Sequence, residues 1–199
     1  MLINNAGIAA GGRIDLVSDA GWRKVLDVNL LGAVNGCRAI TPLFKQKGSG
    51  HVVNIASLAG AVHPAAMSSY AASKAAVMAL SESLRYELRP WGIDVTVVCP
   101  SFFRSNLTSS LTGDDALADH VAANLISRAP LDADDIATRV ISAVNARRYL
   151  VLPDRAARIA YWTKRLARPL YDRQMSAAGV KIHRAEINEP STPNSQEAV

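Results

Sequence analysis

The sequence predicts an α/β fold: a parallel sheet held between layers of helices. Short apolar runs rich in β-branched residues, His51 to Ile55 and Ile93 to Val98, read as strands. Long stretches of helical periodicity lie between and around them, most clearly Tyr70 to Leu88. Glycine and proline turns, Gly48-Ser49-Gly50 and Pro90-Trp91-Gly92, separate the two kinds of segment. Strands alternating with helices in this way build a parallel sheet.

Taken in order, Met1-Leu2-Ile3 reads as the last residues of a strand, and Asn4-Asn5-Ala6-Gly7 as the turn that closes it. Ser18 caps a helix expected from about Asp19 to Lys45, with Trp22, Val25, Val28, Leu31 and Ile40 on a broad apolar face. Pro42 falls late and is placed to bend it. Strand 51–55 follows, then a loop from Ser57 to Ser69 carrying Gly60, His63 and Pro64. His63 reads as a solvated loop residue, and Met67 as either pocket wall or packing. The Tyr70 helix presents Val77, Leu80, Leu84 and Leu88 as an apolar stripe. After strand 93–98, residues 106–130 are polar, with Gly113-Asp114-Asp115, and read as a mobile helical lid. Asp134-Asp135 opens a helix at its positive end, with Ile136, Val140, Ile141 and Val144 facing inward. Tyr149 to Leu152 is a last strand.

The composition bounds the function. The chain has 199 residues, 49% hydrophobic and 20% charged, which is globular. The net charge of +5 is concentrated in the last third, so a uniformly basic nucleic-acid surface is not expected. Cys37 and Cys99 sit in apolar surroundings and read as buried free thiols of a reducing compartment, hence a cytoplasmic expectation. No metal-ligand spacing, membrane-length run or signal peptide is visible.

The chemistry gathers at Ser57, Tyr70 and Lys74. Tyr70 and Lys74 are four apart on one helix face, a turn from each other. Ser57 follows a strand end, where an α/β sheet opens its ligand crevice. A free tyrosine, with a pKa near 10, is a poor acid or base at neutral pH. A nearby ammonium is expected to favour the phenolate, so that the phenol can exchange a proton with a carbonyl or alcohol oxygen while the serine hydroxyl bonds the same oxygen.

Ser57 and Tyr70-Ala71-Ala72-Ser73-Lys74 together resemble the short-chain dehydrogenase/reductase family. Asn4-Asn5-Ala6-Gly7 is similar to that family's NNAG. Asn29 stands where the family carries a catalytic asparagine. Cys99-Pro100-Ser101-Phe102-Phe103-Arg104-Ser105 is similar to its PGxxxT, with serine replacing both glycine and threonine. The resemblance covers about the first 155 residues. It implies a Rossmann-like, doubly wound three-layer domain over residues 1–153, and NAD or NADP as cofactor. It implies catalytic roles for Asn29, Ser57, Tyr70 and Lys74. It implies cofactor contacts from Asn5, Ala6, Gly7, Tyr70, Lys74, Pro100, Ser101, Phe103 and Ser105, and a small alcohol or ketone substrate of lipophilic character. Ser101 in place of glycine questions a backbone torsion.

The family's glycine-rich TGxxxGxG loop is not found in the sequence. The expectation is therefore an N-terminally truncated domain that binds dinucleotide poorly on its own. The leading function is hydride transfer between nicotinamide and a carbonyl or secondary alcohol. The alternative is a catalytically silent chain acting as a binding or assembly partner. Homo-oligomers are expected through the long helices. Residues 154–185 form a basic amphipathic extension, in which 155–173 reads either as a helix packed on the domain or a partner subunit, or as a helix on an anionic membrane surface. Residues 186–199 read as a disordered tail.

Overall fold

The computed structural model describes residues 1–111 and 114–188. Four strands form one parallel sheet in the order β1 (Leu2–Asn4), β2 (Gly50–Ile55), β3 (Ile93–Val98) and β4 (Leu150–Val151). The register pairs Asn4 with Asn54, Asn54 with Val97, and Val97 with Leu150. Because every crossover is parallel, each connection carries helices, and Val52, Val53, Val97 and Val98 are fully enclosed.

The first crossover differs from the single helix expected over 19–45. It comprises α1 (Asp19–Leu26), a π-helical turn (Asp27–Leu31) and α2 (Gly32–Lys47). Ser18 caps α1 by accepting the Gly21 N–H at 3.1 Å. The wide turn rotates the residues that follow it, and it falls on Asn29. Gly36 lets α2 press onto the sheet: a Cβ there would lie 2.1 Å from Asn4 Oδ1. Asn4 is in turn held by Asn54 Oδ1 at 2.8 Å, and Asn54 donates to Ser81 Oγ at 2.9 Å. This buried amide chain ties β1, β2 and the long helix α4 (Ser68–Leu88) together.

The loop after β2 contains a short helix, α3 (Ala59–Val62). A Cβ on Gly60 would meet the Lys74 carbonyl carbon at 2.5 Å, so glycine permits α3 to lie directly on α4. After β3, a 3-10 turn (Asn106–Ser110) and α5 (Ala116–Ser127) form the segment expected as a lid; Gly113 lies outside the described residues. Helix α6 (Ala133–Asn145) opens with a capping box between Asp132 and Asp135. Its Ile136, Val140 and Val144 close a core with Val53, Val98 and Val151.

The extension is two helices, α7 (Arg155–Leu166) and α8 (Arg168–Asn188), rather than one over 155–173. Ala167 leaves the helical region and Pro169 stands in the first turn of α8, where a missing N–H costs nothing. Helix α8 runs three residues into the tail expected from Glu186, and 189–199 lies outside the described residues. Among the described residues no helix is long and apolar enough to cross a membrane.

Candidate active site

Strands β2 and β3 both end at the same edge of the sheet, and the chain leaving them is stitched together. Ala56 N–H donates to Val98 O and Leu58 N–H to Pro100 O, each at 2.8 Å. Between these strand ends, the turn after β1 and the start of α4 lies a cleft of about 720 Å³. Ser57, Tyr70 and Lys74 all line it.

Burial pushes the Tyr70 phenol above its ordinary value, and the neighbouring Ser57 side chain opposes that. The sequence led us to expect the opposite net direction, with the ammonium favouring the phenolate. Desolvation outweighs it: Tyr70 and Lys74 are both buried, and Lys74 is itself pushed down to about 8 by burial. Its Nζ lies 5.8 Å from the Tyr70 ring centre and donates to Ile55 O at 3.0 Å. The amine therefore stands beside the ring, anchored to the end of β2.

Asn29 is buried beneath the cleft and does not line it. Its Oδ1 accepts the Ile8 N–H at 2.8 Å, and its Nδ2 donates to Ile8 O at 3.1 Å and to Ser73 Oγ at 3.3 Å. It fixes the Gly7-Ile8 turn against α4. A Cβ on Gly7 would stand 3.3 Å from Asn29 Oδ1 and 3.4 Å from Lys74 Nζ, so the bare glycine backbone leaves room beside both polar groups.

Of the residues expected around a cofactor, Asn5, Gly7, Tyr70, Lys74, Pro100, Ser101, Phe103 and Ser105 line the cleft. Ala6 is exposed outside it. Ser101 takes no left-handed torsion, so serine replaces glycine there without strain. Its N–H and hydroxyl both bond Asp154, at 2.9 and 2.7 Å, and the same carboxylate caps α7 through Ala157 N–H at 2.7 Å. Nothing in the spacing of Ser101 and Asp154 announces this pairing; only the fold brings them together. Ser105 caps the 3-10 turn, with Leu107 N–H at 3.5 Å.

Cys99 is the buried free thiol expected from the sequence; at the end of β3 it is pushed up to about 12 by burial, with Lys74 and a Ser57 backbone bond opposing. One further group was not legible. The covering segment is clasped shut by Arg13, whose Nε and Nη2 bond Asp115 at 2.8 and 3.1 Å, and by Ala9 N–H to Ser110 Oγ at 2.8 Å. His63 is a structural contact: Nε2 donates to Gly60 O at 3.0 Å and Nδ1 accepts from Lys164 Nζ at 2.7 Å.

A parallel α/β domain with a serine, a tyrosine and a lysine convergent at its strand ends defines an enzyme-like crevice of the doubly wound class. Residues 1–116 match the family model for short chain dehydrogenases. The chain belongs to that family of oxidoreductases. It is 35% identical over 189 residues to dehydrogenase/reductase SDR family member 7B of Xenopus laevis, covering 94% of this chain and 58% of that protein. It is 34% identical over 131 residues to a 3-oxoacyl-acyl-carrier-protein reductase of Staphylococcus aureus, covering 66% of this chain and 51% of that protein. The chain thus spans a little over half the length of these curated relatives. Among solved structures, a short-chain dehydrogenase/reductase of Burkholderia phymatum in complex with NAD superposes with a TM-score of 0.78 at 30% identity, over 85% of this chain and 66% of that one. A short-chain dehydrogenase of Streptomyces avermitilis gives a TM-score of 0.72 at 26% identity, over 93% and 71%.

Proposed function

We propose that this chain supplies the proton-transfer machinery for NAD(P)-dependent interconversion of a ketone and a secondary alcohol. The observation that carries this reading is the convergence of Ser57, Tyr70 and Lys74 on one cleft, with the buried Lys74 amine 5.8 Å from the Tyr70 ring centre. A substrate oxygen bound between the two hydroxyls would be polarised by both. In reduction the Tyr70 O–H gives its proton to the oxygen as negative charge develops there; in oxidation it takes that proton back. Ser57 holds the oxygen in place. Lys74 lies close enough for a protonated amine to stabilise a phenolate on Tyr70. Asn29 keeps the Gly7-Ile8 turn at the right height beneath the amine.

The open backbone at Gly7, the Lys74 amine and the polar groups of Asn5 and Ser105 fit the ribose and nicotinamide end of a dinucleotide. When bound, that cofactor supplies or accepts the hydride. The similarity to an NAD-bound family member supports this cofactor class. The cleft walls around Tyr70 are apolar, from Ile8, Leu58, Val62, Met67, Phe102 and Leu111, which favours a lipophilic carbonyl or alcohol. The acyl substrate in the name of the Staphylococcus aureus relative is of that kind.

The test is a panel of ketones and secondary alcohols, run with both nicotinamide cofactors on wild type and Tyr70→Phe. Loss of about 10³-fold or more in kcat, with cofactor binding by fluorescence little changed, is expected. A Tyr70→Phe protein that keeps its turnover refutes the role. Wild-type protein that binds neither cofactor favours the silent, partner-binding reading instead.

A further inference from the structure

A surface helix ordinarily has one apolar face, turned to the core. Helix α7 has two. Ala157 and Tyr161 are buried against the domain. On the opposite side Ile159, Trp162 and Leu166, spaced three and four apart, make a continuous stripe, with Trp162 at 52% and Leu166 at 80% exposure. The charges beside the stripe have one sign. Helix α7 contains Arg155, Arg158, Lys164 and Arg165 and no acid. Asp172 on α8 is already paired with Arg168 at 2.8 Å. Arg165 lies over the Tyr161 ring at 3.9 Å.

We infer that the outer face of α7 docks on an anionic lipid bilayer, with Ile159, Trp162 and Leu166 entering the interface and Arg155 and Arg158 facing lipid phosphates. Tryptophan and leucine flanked by arginines, with Asp154 buried and bonded to Ser101 and Ala157, are complementary to such a surface. A helix that held a second copy of this chain through the same stripe would set its own arginines against one another. The docking face is joined to the cleft. Lys164 donates to Ala61 O at 2.6 Å and contacts His63, and the Tyr171 hydroxyl donates to Val62 O. Val62 and Leu58 are cleft wall. Helices α7 and α8 therefore brace the segment that carries this part of the cleft wall.

The experiment is co-sedimentation of the chain with phosphatidylcholine vesicles, with and without about one third phosphatidylserine. It needs no cofactor and no turnover, so its outcome is independent of the activity assay. Binding is expected on the anionic vesicles alone, and is expected to fall steeply between about 0.05 M and about 0.5 M salt. Arg155→Gln with Arg158→Gln should weaken partitioning about 25-fold, and Trp162→Ser with Leu166→Ser about 100-fold. All four side chains are exposed, so folding is retained, as circular dichroism will show. Absence of sedimentation at low salt overturns the inference. So does equal binding to neutral vesicles, or vesicle binding indifferent to both double variants. A dimer that dissociates on Leu166→Ser while no vesicle is bound assigns the stripe to a second copy.

Discussion

Replacing Lys74 by methionine should make the protein more stable while removing the amine from the proposed proton-transfer site. Burial lowers the Lys74 amine from its ordinary 10.5 to about 8. At pH 7 the amine is charged in both states, and holding that charge in the interior costs the folded chain about 3 kcal/mol. Methionine, of similar length, removes the cost. It also removes the hydrogen bond to Ile55 O, worth about 1 kcal/mol. The net gain is about 2 kcal/mol, or roughly 4–8 °C in Tm for a chain of this size. The sign reverses its visibility with pH. Between about pH 8 and 10.5 the native wild type releases a proton that the unfolded chain retains, so wild-type stability rises through that window. The methionine variant has no such group, so its advantage should shrink, pass through zero below pH 10.5 and reverse by up to about 1 kcal/mol, the value of the lost Ile55 bond. Urea denaturation of both proteins at pH 7, 8.5 and 10 measures this, and tyrosine ionisation is common to both and cancels. A variant less stable than wild type at pH 7, or an advantage that does not change with pH, refutes the reasoning.

Two other outcomes follow from the same geometry. Asp115→Ala removes the buried partner of Arg13 and the cap of α5, and should cost about 3 kcal/mol locally. Hydrogen exchange over 106–127 is expected to accelerate far more than over β2 and β3; equal acceleration everywhere would show that the clasp supports the whole domain. His51 and His63 are both held below their ordinary value, chiefly by burial, and both use a neutral ring. The unfolded chain therefore binds more protons just below pH 6.5, and stability should fall as pH drops through that region. Thermal melts from pH 5 to 7.5 check it, and His63→Gln should flatten part of the slope.

The strands and the catalytic-type spacing were legible because they are local. The run Ile93 to Val98 can be little but a buried strand, and Tyr70 and Lys74 must share a face once α4 forms. What was illegible is what depends on distance or on field. The π-helical turn at Asp27–Leu31 has no composition of its own; the residues VNLL would suit an ordinary helix, and it is the Asn29 bonds to Ile8 and Ser73 that reward the wider turn. The Ser101–Asp154 pair joins residues 53 apart in sequence. The direction of the Tyr70 shift was misjudged because a four-residue spacing reports proximity of an amine but not how much water burial removes from both groups. The break at Ala167 was missed because a proline in the first turn of a helix looks, in sequence, like a proline inside a longer one.

The amide chain from Asn4 through Asn54 to Ser81 has a consequence for how the molecule is assembled. Its links span 50 and 27 residues of sequence. β1 offers only three residues of pairing, too little to hold a position by itself. The Asn4 amide finds its first acceptors in α2, Ala33 O at 3.3 Å and Cys37 Sγ at 3.4 Å, and gains Asn54 only when β2 has been made. The strand is therefore expected to dock on α2 first, and the chain of amides to close only when α4 brings Ser81 over Asn54.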